Sequence, residues 1–155
     1  MKEILTENKW FVFEIIGMKK PDREIIDFQN QFPLQVILTE WLPKQALLER
    51  LREGSVYLHF FPFNEGSPIA LIEALSQGAP AITFDVEGVR DAIKDGYNGW
   101  LVKNIRDFKE KILEAAKNPD MRQIKRNCLA EILKNFTDEK YLPKLIDIYL
   151  FLSRL

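Results

Sequence analysis

The run Val56-Tyr57-Leu58-His59-Phe60-Phe61 constrains this chain more than any other stretch. It is apolar and aromatic nearly throughout, as a strand buried on both faces must be, and such strands belong to parallel sheets covered by helices. The residues after it set the direction of the chain. Glu65-Gly66 supplies a tight turn, Ser67 is placed to cap a helix, and Pro68 suits the first helical position. The helix expected over Pro68–Gln77 then presents free N–H groups at the carboxyl end of the sheet. Unpaired donors and the helix dipole there favour phosphate. Glu65 stands at the lip, and Glu73 lies one and a half turns in, on the order of 8 Å along the axis. Carboxylates on either side of an anion can accept hydrogen bonds from hydroxyls, so a sugar, a diphosphate and a ribose together fit the pattern.

The rest of the chain alternates in the same way. Residues 1–9 read as the tail of a helix, and a strand at Trp10–Ile16 ends in Gly17. A helix over Asp22–Phe32 leads to a strand at Gln35–Leu38, and Lys44–Glu53 is a helix closed by Gly54. After Val56–Phe61 and the helix from Pro68, a strand is expected at Ala81–Phe84, a short helix at Val89–Lys94 and a strand at Gly99–Val102. From Ile105 the pattern is helical: Ile105–Lys117, Met121–Asn135, and Asp138 to the end. Strands alternating with helices over residues 10–102 predict an α/β fold, a Rossmann-like doubly wound parallel sheet in a single domain with a helical C-terminal third.

With 155 residues, 46% of them hydrophobic, the chain suits one core. A formal charge of -1 gives no reason to expect a nucleic-acid partner. The charge is uneven: residues 1–102 carry 10 basic against 15 acidic side chains, and residues 103–155 carry 12 against 8. Solvated helix faces account for that excess, and peripheral contact with anionic lipid headgroups is the alternative. Cys128 is the only cysteine, which excludes an intrachain disulfide and makes a reducing cytoplasm the expected location. The N-terminus has no signal-peptide pattern, and no apolar run reaches membrane-spanning length.

Individual residues carry competing readings. His59 is the only histidine; with no Ser or Cys nucleophile motif beside it, a packed, hydrogen-bonded role is preferred over a catalytic base. Asp85-Val86-Glu87 follows a strand as turn residues do, and a metal pair is the weaker reading. Gly96 and Gly99 are expected in backbone turns. Trp10, Trp41 and Trp100 are expected to pack in the core or at its rim, with acceptor platforms the weaker reading, and Lys19, Lys20 and Arg23 to lie in a solvated loop, with phosphate contact the alternative. No Gly-x-Gly-x-x-Gly follows the first strand, which argues against a generic dinucleotide-binding protein.

One ordered set of residues resembles a known family. His59, Glu65-Gly66-Ser67-Pro68, Glu73-Ala74, Gly78-Ala79-Pro80, Asp85, Gly88 and Asp95-Gly96-Tyr97-Asn98-Gly99-Trp100-Leu101-Val102 resemble the donor-binding domain of family-4 retaining glycosyltransferases of GT-B architecture. A weaker similarity runs upstream through Phe13-Glu14-Ile15-Ile16-Gly17 and Leu38-Thr39-Glu40-Trp41-Leu42-Pro43. The resemblance implies transfer of a sugar from a nucleotide donor with retention of configuration. It implies that Glu65 is the catalytic-site carboxylate on the donor sugar and that Glu73 meets the nucleotide ribose. Gly66, Ser67 and Pro68 would face the sugar and diphosphate, while Gly17 and the Trp41 loop would complete the donor site, with Trp41 against the base. Neither a metal nor another cofactor is implied, because a helix start and basic side chains stabilise the leaving diphosphate.

Against the family pattern, the sequence lacks an N-terminal acceptor domain and the donor domain's first strand with its Arg and Lys. The expectation is a donor half served by an acceptor-domain partner chain or by a second copy, docked through the apolar segment 138–155. The alternative is a non-catalytic nucleotide-sugar binding or regulatory module, or a truncated remnant.

Overall fold

The computed structural model describes residues 1–60, 68–140, 142–143 and 146–147. Its elements are α1 (Lys2–Glu7), β1 (Phe13–Ile16), α2 (Arg23–Gln31), β2 (Val36–Thr39), α3 (Lys44–Glu53), β3 (Tyr57–His59), α4 (Ile69–Ser76), β4 (Ala81–Phe84), β5 (Gly99–Val102), α5 (Ile105–Ala116) and α6 (Met121–Asn135). Residues 138–140, 142–143 and 146–147 are also helical, while the rest of the helix expected over 138–155 lies outside the described residues. The backbone divides into two compact units, Met1–Glu49 and Arg50–Leu155.

In the first unit, β1 and β2 pair in parallel from Phe13↔Val36 to Ile16↔Thr39. Ile4, Leu5 and Val36 are its buried apolar side chains. Helix α2 starts where Asp22 accepts a hydrogen bond from the Ile25 N–H at 3.0 Å, the short polar cap that a helix start requires. The strand expected over Trp10–Ile16 is shorter than its apolar composition suggests. Gln35 Nε2 donates to the carbonyls of Leu5, Asn8 and Phe11 at 3.3, 3.0 and 3.3 Å. A side chain thus satisfies the backbone before β1, and the ladder begins only where Phe13 N donates to Gln35 O at 2.7 Å.

The second unit holds a parallel three-stranded sheet in the order β3-β4-β5. All four residues of the central strand β4 are buried, as expected of a strand covered on both faces. On one face Ala81 joins Leu71 and Leu75 of α4, Cys128 and Ile132 of α6, and Val89, Ala92 and Ile93. Each fully buried leucine there contributes about 1.5–3 kcal/mol relative to exposure. The opposite face belongs to α5, where the Phe108 ring lies 5.5 Å from that of Phe84 and 5.4 Å from that of Phe60. Helices on both faces of a parallel sheet realise the expected α/β architecture.

Residues 87–92 form hydrogen-bonded turns, where the pattern predicts a short helix over Val89–Lys94. Ala92 N and Ile93 N donate to the Val89 carbonyl at 3.0 and 2.9 Å, but the next bonds go to a side chain. Asn98 Oδ1 accepts from Lys94 N at 2.8 Å, and Asn98 Nδ2 donates to Ala92 O at 2.8 Å. Those are the backbone groups that continued helix would use, and the fully buried Asn98 takes them instead. Gly99 also departs from expectation. It lies in β5, where a Cβ would stand 2.6 Å from the Ala81 carbonyl oxygen, so close strand packing and not a turn demands glycine.

Candidate functional site

In the second unit the parallel ladder sets His59 beside Thr83, and Phe84 beside Val102, so the carboxyl ends of three strands share one edge. Helix α4 is the next element after β3, and in a parallel sheet the helix after a strand starts at that strand's carboxyl edge. The helix begins one residue later than its sequence suggests: Pro68 is the N-cap, with φ -77° and ψ 83°, and Ile69 is the first helical residue. Proline has no N–H, so the donors that lack an intrahelical partner at this end belong to the residues after it. The first backbone bond, from Ile72 N to Pro68 O, spans 3.0 Å. Pro68 is buried, whereas Ile69 and Ala70 are exposed. Glu73 is half-buried and follows Ile69 by four residues, hence on the same helix face and about 6 Å along the axis. No acidic residue occupies the first turn of α4 to compete for its dipole.

At the carboxyl end of β3, His59 is buried and its Nδ1 lies 3.5 Å from the Tyr57 hydroxyl, the long limit of a hydrogen bond. That is the packed role preferred for it. Thr83 is fully buried, and its Oγ1 has no hydrogen-bond partner among the described residues. Nothing in the run Ala81-Ile82-Thr83-Phe84 distinguishes this hydroxyl from an ordinary strand threonine, so the sequence offers no signal for it. Beyond β4, Arg90 Nε donates to Asp85 Oδ1 at 2.7 Å, and this hydrogen bond is the main reason the Asp85 carboxyl is held below its usual range. Asp85 is thus one half of an ion pair. The charge of Arg90 could not be assigned a partner from spacing alone.

In the first unit, Gly17 follows β1 with φ +95°, a left-handed conformation that favours glycine, and donates from its N–H to Thr39 O at 3.0 Å. Trp41 follows β2, so the parallel register brings Gly17 and the Glu40-Trp41 stretch to the same sheet end. Trp41 is 66% and Trp10 60% exposed, whereas Trp100 is buried; core packing describes only the last. Lys19 and Lys20 are solvated, as expected, whereas Arg23 is exposed but is the first residue of α2 and not a loop residue, because Asp22 caps the helix just before it. The structure thus groups Gly17 with Trp41 in one unit and Pro68 with Glu73 in the other. Glu65, Gly66 and Ser67 lie outside the described residues.

A helix start at the carboxyl edge of a parallel sheet, with a carboxylate just over one turn in, occurs in many nucleotide-binding folds. Comparison with known proteins narrows the choice: residues 1–128 match the family model of the glycosyl transferases group 1. The chain belongs to that family. Among curated relatives, it is 27% identical over 88 residues to the UDP-Gal:alpha-D-GlcNAc-diphosphoundecaprenol alpha-1,3-galactosyltransferase of Escherichia coli, covering 56% of this chain and 23% of that one. It is 31% identical over 85 residues to the trehalose synthase of Pyrococcus horikoshii, covering 54% and 20%. The matched part is about a fifth to a quarter of these relatives' own length. Among solved structures, TarM superposes with a TM-score of 0.81 at 21% identity, over 96% of this chain and 30% of TarM. Anabaena HepE in complex with UDP-glucose superposes with a TM-score of 0.73 at 16% identity, over 93% of this chain and 41% of HepE. The group 1 chain therefore shares the fold of these GT-B proteins.

Proposed function

We propose that this group 1 chain binds the nucleotide-sugar donor of a retaining glycosyltransferase. The observation that carries the proposal is α4, a helix that starts at the carboxyl edge of the β3-β4-β5 sheet and holds Glu73 half-buried just over one turn in. A diphosphate at such a start is favoured by unpaired N–H groups and the dipole, which leaves Glu73 in range of the ribose hydroxyls on the nucleotide side. In this reading Glu65 is the catalytic-site carboxylate on the sugar side, and Gly66, Ser67 and Pro68 line the sugar and diphosphate. Stabilisation of the leaving diphosphate by a helix start and basic side chains needs no metal. Transfer further requires groups that position the acceptor hydroxyl; an acceptor-binding domain, on this protein or on a partner chain, supplies them. The reducing cytoplasm is the compartment proposed for this reaction.

Calorimetric titration of the full chain with a panel of nucleotide sugars and the matching nucleoside diphosphates tests the proposal. Saturable binding of one nucleotide family, tighter for a particular sugar, is expected. Failure of every member to bind at millimolar concentration would overturn it.

A further inference from the structure

The solvent face of α6 combines basic and apolar side chains. Its buried side is Ile124, Cys128, Glu131 and Ile132. On the other side Arg122, Arg126, Leu129 and Leu133 fall within one narrow stripe, spaced by four, three and four residues. Leu129 is 43% and Leu133 71% exposed, large apolar side chains left in water on a helix that already has a complete core face. Lys134 stands exposed beside them. The only acidic residue within Met121–Asn135 is Glu131, which is buried and paired with Lys94. The exposed face therefore carries positive charge alone. Acidic side chains occur only beyond its two ends, Asp120 before it and Asp138 and Glu139 after it.

We propose that this stripe is an interfacial docking surface for an anionic lipid bilayer. Arginines and a lysine flanking exposed leucines are the combination such an interface selects: the cations meet headgroup phosphates while the leucines enter the acyl boundary. Two features separate this occupant from others of the same charge. A nucleic-acid surface would gain from aromatic platforms, and the stripe has none. A second copy of the face would set like charges against each other. Arg122 and Arg126 lead the stripe, and Lys134 follows it about 100° further round the helix. The inference does not depend on the donor site, since none of these residues belongs to it.

Co-sedimentation of the full chain with vesicles of phosphatidylcholine alone, or mixed with phosphatidylglycerol, is the test. Each basic side chain near an anionic surface is worth about a five-fold in partitioning. Arg122→Gln with Arg126→Gln should therefore lower binding to the mixed vesicles by about 10–30-fold, and Leu133→Gln should weaken what remains. All three side chains are exposed, so circular dichroism and thermal melting should match wild type. Binding should also fall as salt rises. Equal sedimentation with both vesicle types, no sedimentation with either, or variants that bind like wild type would each overturn the proposal. So would a result in which the arginine pair abolishes oligonucleotide binding or self-association, by fluorescence anisotropy or light scattering, with vesicle binding unchanged.

Discussion

Lys94 Nζ lies 2.7 Å from Glu131 Oε2 and ties the turn after β4 to the middle of α6. Glu131 is 4% exposed, and its other carboxylate oxygen accepts from Asn135 Nδ2. Removing the cation leaves a buried carboxylate with one fewer partner. Lys94→Ala should destabilise the protein by about 1–3 kcal/mol, toward the low end because the lysine head is half exposed. Urea unfolding measures it, and a loss below about 0.5 kcal/mol would mean that the pair is only a surface contact.

Two glycines differ in the reason they are glycine, and alanine scanning should separate them. At Gly99 a Cβ would meet Ala81 O at 2.6 Å and Ile93 Cδ1 at 2.9 Å, so Gly99→Ala forces two strands apart. It should destabilise by about 1–3 kcal/mol or more, as overpacking does. At Gly96, φ is +72° but nothing lies within 4 Å of a Cβ, so Gly96→Ala meets only backbone strain of about 1 kcal/mol. Thermal melts that rank the two in the opposite order would contradict both assignments.

The buried Thr83 hydroxyl, without a partner among the described residues, predicts a substitution that helps stability. Thr83→Val keeps the shape and removes a polar group that has lost its water. A gain of about 1 kcal/mol is expected, because such a group is costly to desolvate without a partner. Destabilisation by a similar amount, read from chemical denaturation, would show that the hydroxyl is satisfied in solution.

Glu73 and Glu65 should divide a nucleotide sugar between them. Glu73→Ala should weaken a nucleoside diphosphate by about 1–3 kcal/mol, the loss of charged hydrogen bonds to a ribose. Glu65→Gln should leave the diphosphate within a few-fold and weaken only the intact nucleotide sugar. Calorimetry on both ligands decides, and identical losses for the two ligands with Glu65→Gln would remove the sugar role.

Burial pushes the Cys128 thiol up to about 12 from its ordinary 9.0. The folded state holds this proton more tightly than the unfolded chain does. The stability it contributes is complete below pH 9.0 and is lost as pH rises toward about 12. Wild type should therefore lose stability above pH 9.0 more steeply than Cys128→Ala, with the difference read from denaturation midpoints. Parallel curves would place the thiol in contact with solvent.

Local chemistry made much of this protein legible in its sequence. Helix α3 and strands β4 and β5 have the ends their patterns predict, because Gly54 stops the helix and short apolar runs bounded by turn residues leave a strand few other lengths. The ordered residues from His59 to Val102 likewise point to the family that the match over residues 1–128 establishes. What the sequence could not determine is where a side chain takes over the backbone's own hydrogen bonds. Gln35 ends the ladder before Trp10 from across the fold, and Asn98 turns the helix pattern of Val89–Lys94 into a turn by taking backbone groups a few residues before it. Glu131 reads as a solvated helix residue until Lys94 is folded against it, and Gly99 reads as a turn residue until Ala81 is brought to 2.6 Å from its missing Cβ. Periodicity reports which face of an element is apolar; only the folded chain decides which polar group meets it, because that depends on contacts the local pattern does not encode.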